Sequence, residues 1–123
     1  MSVEIATLRD LLAAFNRHDL EAVMSFFTED AVLEMPRGSS PWGTRAQGRD
    51  EVRRLLATRF EGIPDAHWGD DRHAVCGDRG FSEWTLTGTG GGQPIEVRGC
   101  DLYEFAGDLI RKKDSYWKMV ERS

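Results

Sequence analysis

Asp101 is the residue most in need of a chemical explanation. It lies within Pro94–Phe105, whose odd positions are Ile95, Val97, Gly99, Asp101, Tyr103 and Phe105 and whose even positions are Glu96, Arg98, Cys100, Leu102 and Glu104. In a strand the two sets point to opposite faces, so the apolar odd set turns inward and carries a carboxyl with it. A buried carboxyl is costly without a partner, and burial favours its neutral form. Such a group is either half of a satisfied pair or a proton-moving residue at a functional position.

The following segment supplies its partners, and two registers are open. A two-residue turn at Gly107-Asp108 sets Asp114 opposite Asp101 and makes a carboxylate pair. A three-residue loop, Ala106-Gly107-Asp108, sets Lys113 opposite instead, with Ser115 and Trp117 further along that face. The second register also turns Leu109, Trp117 and Met119 inward, and it is preferred for that reason. Asp101 and Lys113 are therefore the candidate catalytic pair: Asp101 moves or donates a proton, and Lys113 tunes it or polarises a carbonyl. Trp84 and Leu86 alternate with Glu83 and Thr85 and face the same interior. With Met35, Tyr103, Ser115 and Trp117 they are candidate ligand-binding residues. Trp42 joins them either as a lid at a pocket mouth or as an aromatic packed on the surface.

Other residues with chemical potential give less. His67, Asp71 and His73 alternate onto one strand face as metal ligands would. A straight strand separates the two histidines by about 20 Å, too far for one ion without a bend at Gly69. No metal and no cofactor is expected. Gly88 to Gly92 joins two strands rather than leading into a helix, so it reads as a hairpin and not a phosphate cradle. Cys76 and Cys100 have no nearby base, Ser115 has no histidine close in sequence, and His18 reads as an exposed helix end.

The elements that hold these residues follow from periodicity. Ile5, Leu8, Leu12 and Phe15 predict a helix over 3–17. Asp19 caps a second helix carrying Leu20, Val23, Met24 and Phe27. Ala31 to Met35 reads as a strand ended by Pro36, and Pro36 to Gly48 as a loop. Arg49 to Phe60 is a third helix. Strands follow at 66–76, 80–87, 94–105 and 109–121. Helices first and antiparallel strands after them define an α+β domain, with three helices in a long, strongly curved, mostly antiparallel sheet. Such a cone leaves a pocket in its mouth. The chain reads as one domain, residues 1–123.

Bulk properties narrow the partners. The 123 residues carry 16 Lys and Arg against 21 Asp and Glu, a net charge of −5. That sign disfavours nucleic acid, whose phosphates need a concentrated basic surface. The longest strongly apolar run, Leu11 to Phe15, is far short of a membrane span. Glu4 precedes any apolar stretch, so no signal peptide is read, and two cysteines make no disulfide framework. A cytoplasmic location is expected.

The chain resembles the nuclear transport factor 2-like superfamily, in its SnoaL-like and ketosteroid isomerase-like branch. The resemblance rests on Ala14-Phe15-Asn16-Arg17-His18-Asp19-Leu20, Phe27-Thr28-Glu29-Asp30-Ala31-Val32, Gly48-Arg49-Asp50-Glu51-Val52, Asp101-Leu102-Tyr103-Glu104-Phe105 and Asp114-Ser115-Tyr116-Trp117. It implies a cone-shaped α+β barrel, a small apolar and cyclic ligand, and a homodimer formed through the sheet. Asp101 is similar in position to the acid that ketosteroid isomerases keep protonated. The base of that family falls on Met35 and its oxyanion tyrosine on Leu11. The last-strand aspartate of polyketide cyclases falls on Ser115, and the Arg and Asp of epoxide hydrolases fall on Trp84 and Leu86. The resemblance thus implies a small-molecule acid–base isomerase, cyclase or lyase, or else a non-catalytic dimeric module that binds a ligand or partner.

Overall fold

The computed structural model describes residues 2–121. Helix α1, Ile5–Asn16, begins where the Thr7 hydroxyl accepts a bond from the Glu4 N–H at 3.1 Å. It buries Leu8, Leu11, Leu12, Ala14 and Phe15, whereas Ile5 is exposed. Helix α2, Leu20–Met24, is capped by Asp19, whose Oδ1 accepts from the Ala22 N–H at 3.1 Å. It stops short of Phe27, which instead opens strand β1, Phe27–Glu34, opposite Ile110. Its complete burial and its pairing with β6 outweigh its helical spacing.

Within the predicted loop, Arg45–Gln47 forms a short strand β2 antiparallel to β1, pairing Leu33 with Ala46. Helix α3, Arg49–Gly62, buries Val52 and Leu56 against the sheet. Then come β3, His67–Cys76; β4, Arg79–Gly90; β5, Gln93–Ala106; and β6, Leu109–Trp117. Gly88 to Gly90 belong to β4, so only Gly91 and Gly92 turn the chain. Both have positive φ, +59° and +76°, the conformation that tight hairpins require.

The six strands form one curved, unclosed sheet in the order β2-β1-β6-β5-β4-β3. Neighbours are antiparallel except β1 and β6, which run parallel. Helix α1 packs on β3 and α3 on β1, so the concave face is the buried one. The odd positions Val97, Asp101, Tyr103 and Phe105 are buried, as alternation requires. Among the described residues no helix is long and apolar enough to cross a membrane.

The last hairpin takes neither expected register. Its turn is the two-residue Gly107-Asp108, yet Asp101 pairs with Ser115 and Tyr103 with Lys113. A bulge at Arg111 reconciles the two: Phe105 pairs with Ile110 and Glu104 with Lys112, which leaves Arg111 unpaired. The extra residue flips the phase of β6. Ile110 is buried before the bulge, and Lys113 and Ser115 after it. Leu109 is only half-buried, and Met119 is 90% exposed beyond the strand rather than inward.

Candidate active site

Strand β5 delivers Asp101 to the middle of the concave face, where the residue is 3% exposed. Four donors surround its carboxylate. The Lys113 ammonium lies 3.0 Å from Oδ1, and the Ser115 hydroxyl donates to Oδ1 at 2.5 Å. The Trp84 indole N–H donates to Oδ2 at 2.9 Å, and the Tyr103 hydroxyl reaches the same oxygen at 3.5 Å. Lys113 also donates to Ser115 Oγ at 2.9 Å, so the serine bridges the pair. Indole and ammonium can only donate, so the carboxylate acts here as an acceptor. The pairing of Asp101 with Lys113 thus takes shape through the bulge and not through direct opposition.

Backbone geometry makes room for this cage. Gly99 lies opposite Trp84, and a Cβ there would come within 2.5 Å of the indole ring. The gap in the odd-numbered series of β5 is therefore the seat of the Trp84 ring. Above the carboxylate, Phe15 brings its ring within 5.2 Å of the Lys113 ammonium, and Arg59 stacks 4.5 Å over Trp117.

Arg59 is the residue the sequence reading missed. It follows Val52 and Leu56 at helical spacing on the buried stripe of α3, where a cation is out of place. That intrusion is the signal that points to it. Burial lowers the Arg59 guanidinium below its ordinary range, nearby Arg37 adds to the effect, and Asp101 opposes it. Burial raises the Tyr103 phenol well above its usual value, and the neighbouring Asp101 charge pushes the same way. Burial likewise raises Cys100, so its thiol is not an activated nucleophile.

Met35, Trp84, Tyr103, Ser115 and Trp117 line the space beside Asp101 and Lys113, together with Arg59, Phe15 and Trp68. Two candidates do not. Leu86 is fully buried in the core below, and Trp42 is 59% exposed on the 36–43 loop beneath the Arg45 guanidinium. The space itself is small, about 20 Å³, which is the room one water needs. Trp68, Trp84 and Trp117 all turn their rings toward it. A larger cleft of about 310 Å³ adjoins it under the 36–43 loop and shares Met35, Pro36, Ser115 and Trp117 as a common wall.

The histidines part company. His67 is exposed, whereas a bulge at Asp70 brings His73 and Asp71 together with their side chains 2.6 Å apart. Among the described residues no three His, Cys, Asp or Glu side chains are placed to hold a metal. His18 is not a free helix end: its φ is +56°, its Nε2 bonds the Ala66 carbonyl at 2.7 Å, and its ring stacks on Phe60.

A helix-lined curved sheet with a caged carboxylate on its concave face defines a class of small α+β proteins. The SnoaL-like domain family model matches residues 8–113, and the chain belongs to that family. Among solved structures, an NTF2-like protein of unknown function from Burkholderia pseudomallei superposes with a TM-score of 0.83 at 23% identity, over 96% of this chain and 92% of that one. A protein from Xanthomonas campestris assigned provisionally as a polyketide cyclase gives 0.78 at 20%, over 90% and 87%. A ketosteroid isomerase-like fold from Catenulispora acidiphila, in complex with trimethylamine, gives 0.79 at 20%, over 97% and 88%. These likenesses establish the fold. No curated protein matches the chain.

Proposed function

We propose that the protein is an acid–base enzyme of the isomerase, cyclase or lyase type, acting on a small, largely apolar cyclic carbonyl compound. The observation that carries this reading is the grouping of one buried carboxylate, Asp101, with a buried cation, Lys113, and a half-buried one, Arg59, between aromatic walls. Asp101 takes a proton from the carbon next to a substrate carbonyl. The C–H electron pair moves into the new C=C bond, and the carbonyl oxygen becomes an oxyanion facing Lys113 or Arg59. Drawing Lys113 toward that oxygen removes a partner from Asp101 and makes it a stronger base. Arg59 makes no ion pair among the described residues, so its charge is available to the oxyanion. The ligand reaches the carboxylate by displacing Trp117 toward the neighbouring cleft.

One observation favours a second reading, a non-catalytic module. Four donors already satisfy Asp101, and the space beside it admits a single water. The outer sheet face bears exposed Phe81, Leu102 and Tyr116, which supports pairing of two copies under either reading. Sedimentation would test that pairing.

The deciding experiment follows deuterium exchange next to the carbonyl of cyclic ketones by NMR, alongside binding of 2-naphthol as a planar enolate mimic. The catalytic reading expects exchange that falls about 10²–10⁴-fold in Asp101→Asn. A folded wild type that neither exchanges the ketones nor binds the naphthol establishes the module instead.

A further inference from the structure

A line of hydrogen-bonding side chains leads away from the site beneath the sheet, and the acid–base reading does not use it. The His73 side chain is 2% exposed although it belongs to the strand at one end of the sheet. Its Nε2 lies 2.6 Å from Asp71 Oδ2, and its Nδ1 lies 2.7 Å from the Ser82 hydroxyl. Ser82 is 1% exposed and stands opposite Asp101 across β4 and β5. Tyr103 stands opposite Gly80, diagonally across the two strands from Ser82, with both side chains buried on the concave face, and its phenol reaches Asp101 Oδ2. The outer end is wet, because the Asp71 side chain is 36% exposed.

We propose that Asp71, His73, Ser82 and Tyr103 form a proton relay between solvent and Asp101. A proton on Asp101 Oδ2 passes to Tyr103 Oη as the phenol hands its own to Ser82 Oγ. Ser82 in turn hands its own to His73 Nδ1. One proton moves, every hydroxyl is restored, and the charge ends as an imidazolium held against the Asp71 carboxylate. The Nε2 proton then leaves to water beside Asp71. Running backwards, the same chain recharges Asp101.

The surroundings suit this task. Asp71 is held below the ordinary carboxylate range, first by its bond to His73, with Arg9 of α1 adding to the effect, so it stays ionised beneath an imidazolium. The raised Tyr103 phenol keeps its proton, so transfer runs by concerted exchange and not through a tyrosinate. A route is needed because a bound ligand would occupy the one water-sized space beside Asp101, which Trp117 lines. Use of the relay in turnover rests on the reading of Asp101 as the base, whereas its existence does not.

The test is solvent exchange of the Tyr103 hydroxyl proton in the ligand-free protein. It is read from the deuterium isotope shift on a ¹³Cζ tyrosine label. The sequence has two tyrosines, and exposed Tyr116 serves as the internal control. The relay predicts that Ser82→Ala and His73→Phe each slow Tyr103 exchange by roughly tenfold or more, and that Ser82→Thr restores it. A purely structural cluster predicts the opposite, because loosening the fold speeds exchange through local opening. Unchanged or faster exchange in Ser82→Ala, or in His73→Phe should one variant not fold, overturns the relay. The measurement needs no substrate, so a failure here leaves the role of Asp101 in catalysis standing, and the reverse holds too.

Discussion

Lys113 stands opposite Tyr103 in the last hairpin, yet its ammonium lies 3.0 Å from Asp101, two residues along the neighbouring strand. The Arg111 bulge makes this possible. It turns Lys113 and Ser115 onto the concave face together, and the lysine then leans along the strand to the carboxylate. Both ends of the pair are buried, so removing one strands the other.

Asp101→Asn and Lys113→Met should therefore each lose about 3–5 kcal/mol of stability in denaturant unfolding. The double variant should lose less than either single one, because asparagine still accepts the Trp84 N–H and no charge is left alone. Additive losses would show that the two side chains do not act as a pair.

Gly99 offers a test at the backbone. Gly99→Ala drives a methyl into the Trp84 ring, 2.5 Å from its nearest atom, and into the Tyr116 carbonyl at 2.6 Å. We expect a loss of about 1–3 kcal/mol, with a tryptophan emission shift as the indole leaves Asp101. Unchanged emission and melting would mean that the glycine is not the seat of the ring.

Asp114 contributes one limb of the pH dependence. Burial raises it above the ordinary 3.8, and the Glu34 charge pushes the same way, while a bond from Tyr116 and the Lys112 charge oppose. The fold binds this proton more tightly than the unfolded chain does. Its contribution is thus most favourable below the unfolded value and is lost as pH rises through the folded one. Asp114→Asn, which keeps a partner for Tyr116, should stabilise the protein at pH 7, and the gain should vanish by about pH 3. Melting curves across that range check both limbs.

Trp117 divides the small space at Asp101 from the larger cleft. Trp117→Ala merges them and frees Arg59 from its ring stack. Binding of an anionic naphthalene dye should tighten by about tenfold, and Arg59→Gln in the same background should undo the gain. Dye binding that ignores both changes would place the ligand route elsewhere.

Alternation made the inward face of β5 and the isolation of Asp101 legible, because a period of two has only one apolar phase there. The register of β6 was not legible. It depends on parallel pairing with β1 and on burial of Ile110, neither of which local sequence encodes. Strand β2 is three residues long with polar ends, too short for a pattern to emerge. The filling of the cone was hidden because alternation tells which rings point inward but not how their volumes add up. Arg59 could have been found as a cation on an apolar helical stripe.

The parallel seam between β1 and β6 bears on synthesis. A ribosome makes Asp101 before Lys113 and Ser115, and β6, which forms the seam with β1, is the last strand synthesised. Until β6 docks, the chain shows β5 as a bare strand margin and an acid group with no counter-ion. The translating chain is therefore most exposed to mispairing with its neighbours just before the cage of the carboxylate is complete.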